Sequence, residues 1–423
     1  MAILIQKRNG IINITETTKP VGEQIIETLS VDCVAYPINK QSPENSIIQI
    51  IDCNGKPNRK IPFIPSLEIQ NESGIAAPFI GTIDELINKL NSEFFIGDSE
   101  KDFELDVSSG KIIGSIGINR WGKNPDIDTG TIPEDIWDGG GIYVPPTANR
   151  IHQVKSTSIE DKGILRGTYT STTFSTTALI DSTATFITDG VVVGDVVLND
   201  TIGDHSIVKA VVSEIELTVY VWHHSLDSNI GNSFRVVGKG GTGAAVAHIK
   251  VGYMEDGTPC SEFIILNGTT NVPTIGSCYR INDCHIHGAG SNKSNVGTIT
   301  FTDDVDANVT AQINPNNGRT AMAFIHVPIG YTFYLKTWDN SIFRTGAASD
   351  AMAELEIRSN IWGADCENLE WEVGVSVQAS SAVVFTPHKK FAQGTDLWVR
   401  CRDISDSNTI LFSGLNGVLV KNQ

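Results

Sequence analysis

Residues 119–146, NRWGKNPDIDTGTIPEDIWDGGGIYVPP, limit the fold more than any other stretch. Pro125, Pro133, Pro145 and Pro146 each remove a backbone donor and push the preceding residue towards extended geometry. Asn124, Asp126 and Asp128 favour turns, and Gly139, Gly140 and Gly141 permit a left-handed corner. Between them sit Trp121, Ile136, Trp137, Ile142 and Tyr143, too large and apolar to leave in water. The stretch predicts an ordered, irregular strap, neither helix nor ordinary strand, fixed by aromatic anchors. Such a segment cannot build its own core, so the adjacent domain or a neighbouring subunit must cover it. Trp121, Trp137 and Tyr143 are therefore the candidate subunit contacts, because Trp and Tyr are favoured interface anchors.

Around the strap the pattern is mostly β. A chain of 423 residues exceeds what one core usually organises. Residues 1–117 read as a small α+β or β domain suited to anchoring. Strands at 3–5 and 11–14 flank Asn9-Gly10, and a run at 46–53 ends in the hairpin signal Asn54-Gly55. One helix is expected at 83–94, where Thr82 and Glu85 form a capping box and Ile83, Leu86, Ile87, Leu90 and Phe94 share one face. A hairpin is expected around Ser109-Gly110. Residues 118–146 are the strap. Residues 162–239 read as an inserted β module, with strands at 179–187, 191–198, 206–212 and 217–222 and turns at Gly190, Gly194-Asp195 and Asn199-Asp200. Residues 147–161 and 240–423 complete a C-terminal antiparallel β-sandwich, jelly-roll-like, from short strands regularly separated by turns such as Asp256-Gly257.

The formal net charge of −18 comes without a basic footprint, which argues against nucleic acid and anionic membrane surfaces as partners. The seven cysteines, Cys33, Cys53, Cys260, Cys278, Cys284, Cys366 and Cys401, are odd in number and irregular in spacing. They predict free thiols in a reducing cytoplasm rather than a disulfide framework. MAILIQKRNG lacks the apolar core of a signal peptide, and no apolar run is long enough to span a bilayer.

No constellation carries chemistry convincingly. Asn124, Asp126, Asp128 and Asp135 invite a calcium loop, but the template would place Thr129 where Gly is required and Asp135 where a bidentate Glu belongs. Cys278, Cys284, His285 and His287 are the best zinc set, yet on a strand Cys284 faces away from both histidines. His223-His224 beside Trp222 is weaker still. There is no G-x-S-x-G elbow, and residues 238–243 share only their glycines with a phosphate loop, so they read as a hairpin corner. Trp338, Trp362, Trp371 and Trp398 read as core or subunit contacts. No catalytic residue, metal or cofactor is expected.

The pieces NPDIDTG, EDIW, the glycine run and the Tyr-x-Pro exit, followed by GGTGA at 240–244, Asp256-Gly257 and LNGT at 266–269, resemble virion structural proteins of tailed bacteriophages. The resemblance covers residues 119–161 and 240 onward, and the N-terminal segment is similar in flavour to chains of crAss-like phages. It implies a non-enzymatic head fibre, spike, collar or capsid-decorating protein located in the virion and made in the host cytoplasm. Its expected partners are capsid, portal, collar or tail proteins, and it implies a homo-oligomer, a trimer ahead of a dimer. The competing expectation is a receptor-binding or glycan-degrading tailspike, or another carbohydrate-binding protein, which would contact host surface glycans.

Overall fold

The computed structural model describes residues 114–422 except 174, 176, 221, 223–229, 345–350, 362–365 and 377–379, together with Val107 and the backbone of eight strands between Ala2 and Phe79. The chain divides into two units, Met1–Lys111 and Ile112–Gln423. The fold is mostly β, built from several largely antiparallel sheets, and every named element among the described residues is a β-strand. No helix among the described residues is long and apolar enough to cross a membrane.

In the first unit, Ala2–Arg8 and Ile11–Thr18 form an antiparallel pair on either side of Asn9-Gly10. Ile25–Val31 extends that sheet on one edge, while Leu67–Gln70 and then Ala76–Phe79 extend it on the other. Ile47–Ile51 pairs with Pro57–Pro62 across the segment holding Asn54-Gly55. The expected helix at 83–94 and the hairpin around Ser109-Gly110 lie outside the described residues.

The second unit is nested. The outermost layer is a sandwich of two sheets. One runs Ser380–Phe391, Tyr331–Arg344, Thr409–Lys421, Ser115–Ile127; the other is built on Thr395–Ile404, Met352–Ile361 and Asn368–Ser376. Trp338, Phe333 and Leu415 from the first meet Leu355, Ile357 and Val399 from the second in one core. Alternation along each strand explains this, since every second side chain points inward.

Residues 119–127 correct the sequence reading, because they belong to a 13-residue strand, Ser115–Ile127. That strand is an edge of its sheet, and its ladder slips between Asn124 and Ile127, at Pro125. An edge strand tolerates a missing donor there, so Pro125 did not exclude a strand. The irregular part of the strap begins only after Ile127.

From the strap the chain enters an inner sandwich. His152–Ser156, Ile299–Asp303 and Val309–Ile313 form one sheet with Val272–Pro273; Glu262–Ile265, Ala244–Tyr253 and Arg280–Ala289 form the other. Its core includes Val154, Ile249, Ile281, Phe301 and Ile313. The single C-terminal sandwich expected from sequence is thus two sandwiches with separate cores, the inner one interrupting the outer.

Residues 163–239 interrupt the inner sandwich in turn. They make a six-stranded unit in the order Gly163–Thr170, Ser233–Lys239, Val196–Asn199, Asp204–Ser213, Glu216–Val219, Ala178–Ile180 around Tyr169, Phe186, Val208, Trp222 and Phe234. Its ends adjoin: the Gly240 amide donates to Lys162 O at 2.7 Å and the Gly163 amide to Leu266 O at 2.9 Å.

Candidate functional site

Three joints tie these bodies together, and they gather most of the polar side chains that the sequence singles out.

The first joint is the strap. Asn124 is fully buried and donates to Glu134 Oε2 (2.9 Å) and Asp135 O (3.1 Å), while its Oδ1 accepts from the Asp126 amide. Asp128 accepts from the Asn408 amide at 2.8 Å. Asp135 accepts from Arg400 Nε at 2.7 Å and from the Tyr143 amide at 2.8 Å. Of the residues of the calcium reading, Asn124 therefore bonds to Asp126 and Asp135, while the side chains of Asp128 and Asp135 are engaged by the Asn408 amide and by Arg400. Asp138 accepts from the side chains of Asn314 and Asn317 and from the Ala321 amide. Burial raises its carboxyl to about 6, against the pull of those donors.

Trp137 and Tyr143, each 7% exposed, pack with Met322, Phe324 and Trp398 of the same chain. Trp137 meets Tyr143 edge-on at 5.3 Å, and Tyr143 meets Phe324 at 5.0 Å. The cover that these two residues need is intramolecular, so their apolar bulk no longer calls for a subunit contact. Trp121 differs: it lies half-buried on the edge strand opposite Gly414. The glycine run is explained by the same packing. A Cβ on Gly139 would sit 2.2 Å from the Trp137 ring, and Gly140 has a φ of +67°.

The second joint is a buried charge network between the two sandwiches. Arg280, from the inner one, donates to Asp396 Oδ2 of the outer one through Nε (3.0 Å) and Nη2 (2.8 Å). Asp396 Oδ1 lies 2.7 Å from His326 Nδ1. Arg280 also donates to the Pro146 carbonyl, which anchors the end of the strap, and stacks over the Tyr279 ring at 3.6 Å. Burial alone would push Asp396 up, but Arg280 and His326 outweigh it and hold its carboxyl below the ordinary range. Nearby, Asp283 takes Arg120, Arg319 and His285.

The third joint roots the inserted module. Asp161 is fully buried and accepts four hydrogen bonds, from the amides of Ala244 (2.8 Å), Val296 (2.9 Å) and Gly297 (2.8 Å) and from Ser156 Oγ (2.6 Å). A Cβ on Gly243 would sit 2.0 Å from Asp161 Oδ1. Residues 240–243 therefore wrap a carboxylate and carry the chain between two sheets; they do not close a hairpin between neighbouring strands. The LNGT segment joins the same knot, with the Gly268 amide on Asp161 O at 2.9 Å.

Above this root, Thr168, Asp200 and Arg235 of the module and Met254, Ser261, Glu262, Phe263 and Ile275 of the inner sandwich line an open cleft of about 530 Å³. Cys260 and Cys278 lie in its wall as a disulfide, with Cα atoms 6.0 Å apart. This corrects the expectation of free thiols throughout. The two cysteines are 18 residues apart in sequence, and only the sheet pairing brings them together. It also dissolves the zinc set, since Cys278 is bonded, Cys284 lies in the inner core and His285 pairs with Asp283. Among the described residues no group of three or more His, Cys, Asp or Glu is arranged to hold a metal ion. His223 and His224 lie outside the described residues, as does Trp362. Trp338 and Trp398 are buried, while Trp371 is 46% exposed and edge-on to Phe385.

Sequence reasoning did not single out Arg280, His326, Asp396, Asp161, His205 or His248. Each becomes informative only beside partners distant in sequence, so no local spacing marks them. A scan against protein-family models and a search of curated proteins both returned no match.

Proposed function

We propose that this chain is a non-enzymatic structural component of a tailed-phage virion, decorating the particle as a head fibre, spike or collar protein. One observation carries the reading. The segments that resemble phage virion proteins are spent on joints: the strap braces two sandwiches, and GGTGA and LNGT meet at Asp161 to root the inserted module. Residues used in this way supply rigidity to a stack of β bodies, which is what a particle-decorating protein needs. In this reading the first unit docks on capsid, portal, collar or tail proteins, the nested sandwiches project, and the protein works as a homo-oligomer, a trimer ahead of a dimer.

Mass spectrometry of gradient-purified particles and cryo-EM of the same preparation test it. The expected result is the chain at stoichiometric level with density for paired sandwiches at a symmetric position. A chain left behind in the soluble lysate fraction would overturn it. The cleft between module and inner sandwich favours a second reading, a virion protein that binds host surface glycans. A glycan array probed with the intact protein separates the two, because a purely decorating protein retains no sugar.

A further inference from the structure

The inserted module meets the inner sandwich across an apolar seam, with Val196, Leu198 and Val237 on the module side and Ala245, Val246 and Phe263 opposite. Three imidazoles from the two bodies are set into this seam. His205 comes from the module strand Asp204–Ser213, and His248 and His287 come from the adjacent strands Ala244–Tyr253 and Arg280–Ala289. The ring centroids of His205 and His287 are 3.9 Å apart and those of His248 and His287 5.2 Å apart. His248 is 5% exposed and stacks on Phe263 at 4.0 Å.

The hydrogen bonding fits neutral rings. His248 Nδ1 lies 3.1 Å from His287 Nε2, and His248 Nε2 lies 3.1 Å from Ser261 Oγ. Whichever ring donates, the other must present a bare nitrogen. A second proton on both rings would turn two donors towards each other in a water-poor seam.

The surrounding charges do not compensate. Lys250, on the same strand as His248, and His285, on the same strand as His287, disfavour further positive charge. Asp283 is the carboxylate that favours it, but Arg120, Arg319 and His285 already engage that group. On the module side Arg235 is closed by Asp200. From the neighbouring strand, Ser261 and Phe263 are neutral, and Glu262 accepts from the amides of Ile275 and Gly276. Burial first, and then the neighbouring His205, lower His248 to about 3 and His287 to about 2.

We propose that the seam is an acid-opened latch: protonation within the His205–His248–His287 cluster drives the inserted module off the inner sandwich and uncovers the apolar seam. The open form is a hinged protein, not an unfolded one. The module keeps its own core, and its two ends stay tied at Lys162–Gly240 and Gly163–Leu266. Closed-state pKa values lie below the ordinary imidazole value, so the closed form binds fewer protons. Closure is therefore favoured above about pH 6.5 and weakens as pH falls below it. A single histidine released to its ordinary pKa shifts the balance towards opening about thirty-fold at pH 5. What would exploit the switch is an apolar partner surface met only in an acidified setting.

Thiol trapping on the full-length chain tests the latch. Val246→Cys places a thiol in the seam, and labelling with dithiodipyridine, which reacts at acid pH, is read site by site by peptide mass spectrometry. Exposed Cys366 supplies the reference rate, and buried Cys284 and Cys401 report whether the sandwich cores stay closed. Relative to Cys366, the introduced thiol should label at least tenfold faster at pH 5 than at pH 7.5, with Cys284 and Cys401 still protected. The same probe in a His248→Gln, His287→Gln background should lose most of that response. Should that double variant fail to fold, His205→Asn, which acts from the module side, should diminish the response. The latch is overturned by an unchanged relative rate at pH 5, by Cys284 and Cys401 reacting together with the introduced thiol, or by a full acid response in the variants.

Discussion

The inner sandwich is joined to its two neighbours by different chemistry. Towards the outer sandwich it uses a carboxylate, Asp396 on Arg280 and His326, whose carboxyl those partners hold below the ordinary range. Towards the inserted module it uses imidazoles that bond to one another, backed by aliphatic side chains. An ionised carboxylate that is fully hydrogen-bonded keeps its partners until it is protonated, well into the acid range. A neutral imidazole pair fails near its ordinary pKa, because the open form gains protons first. One interface is therefore built to hold over a wide pH range and the other to yield within it.

The largest test of this difference is Asp396→Ala. Arg280 is 2% exposed and would be left buried without its counter-ion. Removing one partner of such a pair costs about 3–5 kcal/mol, so the outer sandwich should lose that much stability in urea unfolding followed by tryptophan fluorescence. A loss under about 1 kcal/mol would show that the joint is not held by this pair.

Trp137→Ala comes next. It empties the space between Tyr143 and Met322, and large-to-small changes at such sites cost about 3 kcal/mol or more. Because the residue is covered by its own chain, the expected readout is a lower urea midpoint at unchanged molecular mass in light scattering. A shift in mass without a shift in midpoint would return Trp137 to the role of a subunit contact.

The strap and the seam should respond to mild acid with opposite signs. Asp138 has a folded-state carboxyl at about 6, above its unfolded value, so its contribution favours the fold below the unfolded pKa and is lost as pH rises through about 6. The seam histidines, lowered in the folded state, contribute above about pH 6.5 and lose that contribution as pH falls. Between pH 7 and pH 5 the Asp138 contribution should increase by about 1–2 kcal/mol while seam closure weakens. Hydrogen exchange of residues 135–143, compared in the parent and Asp138→Asn, checks the strap: the parent should gain protection in acid and the variant should not.

The smallest expected effect is at Trp121. Half-buried on an edge strand, it should cost about 1 kcal/mol when changed to Ala. Its interest lies in assembly. Of the three aromatic candidates it alone is left partly open by its own chain, so Trp121→Ala is the variant expected to move the mass towards monomer. An unchanged oligomer, or a parent protein that is monomeric at micromolar concentration, would remove it from the interface.

Much of the strand pattern was legible because alternation and turn chemistry are local. Ala2–Arg8 pairs with Ile11–Thr18 on either side of Asn9-Gly10 in the sequence, and Ala244–Tyr253 pairs with Glu262–Ile265 across the segment holding Asp256-Gly257. The reading went wrong where context overrules composition. Pro125 argued against a strand, yet the edge position of Ser115–Ile127 leaves the missing donor without consequence. Residues 191–198 promised a full strand, but only Val196–Asn199 forms one, since Gly194 at a φ of +91° keeps the preceding backbone turned. The site was less legible. The strap aromatics were visible as large groups needing cover, but the source of that cover was not.

By itself the sequence determined that this is a mostly β protein of short antiparallel strands, because side-chain alternation, proline, glycine and turn residues act over a few positions. The tertiary structure alone decided which residues those elements bring together. Arg280 meets Asp396 across 116 residues, Asp161 meets Gly297 across 136, and His248 meets His287 across 39. The nesting of one sandwich inside another separates contacting residues by the length of whatever has been inserted between them. A buried charge or an imidazole pair takes its meaning from the partner it desolvates with, and that partner is fixed by sheet register and packing rather than by neighbours in the chain.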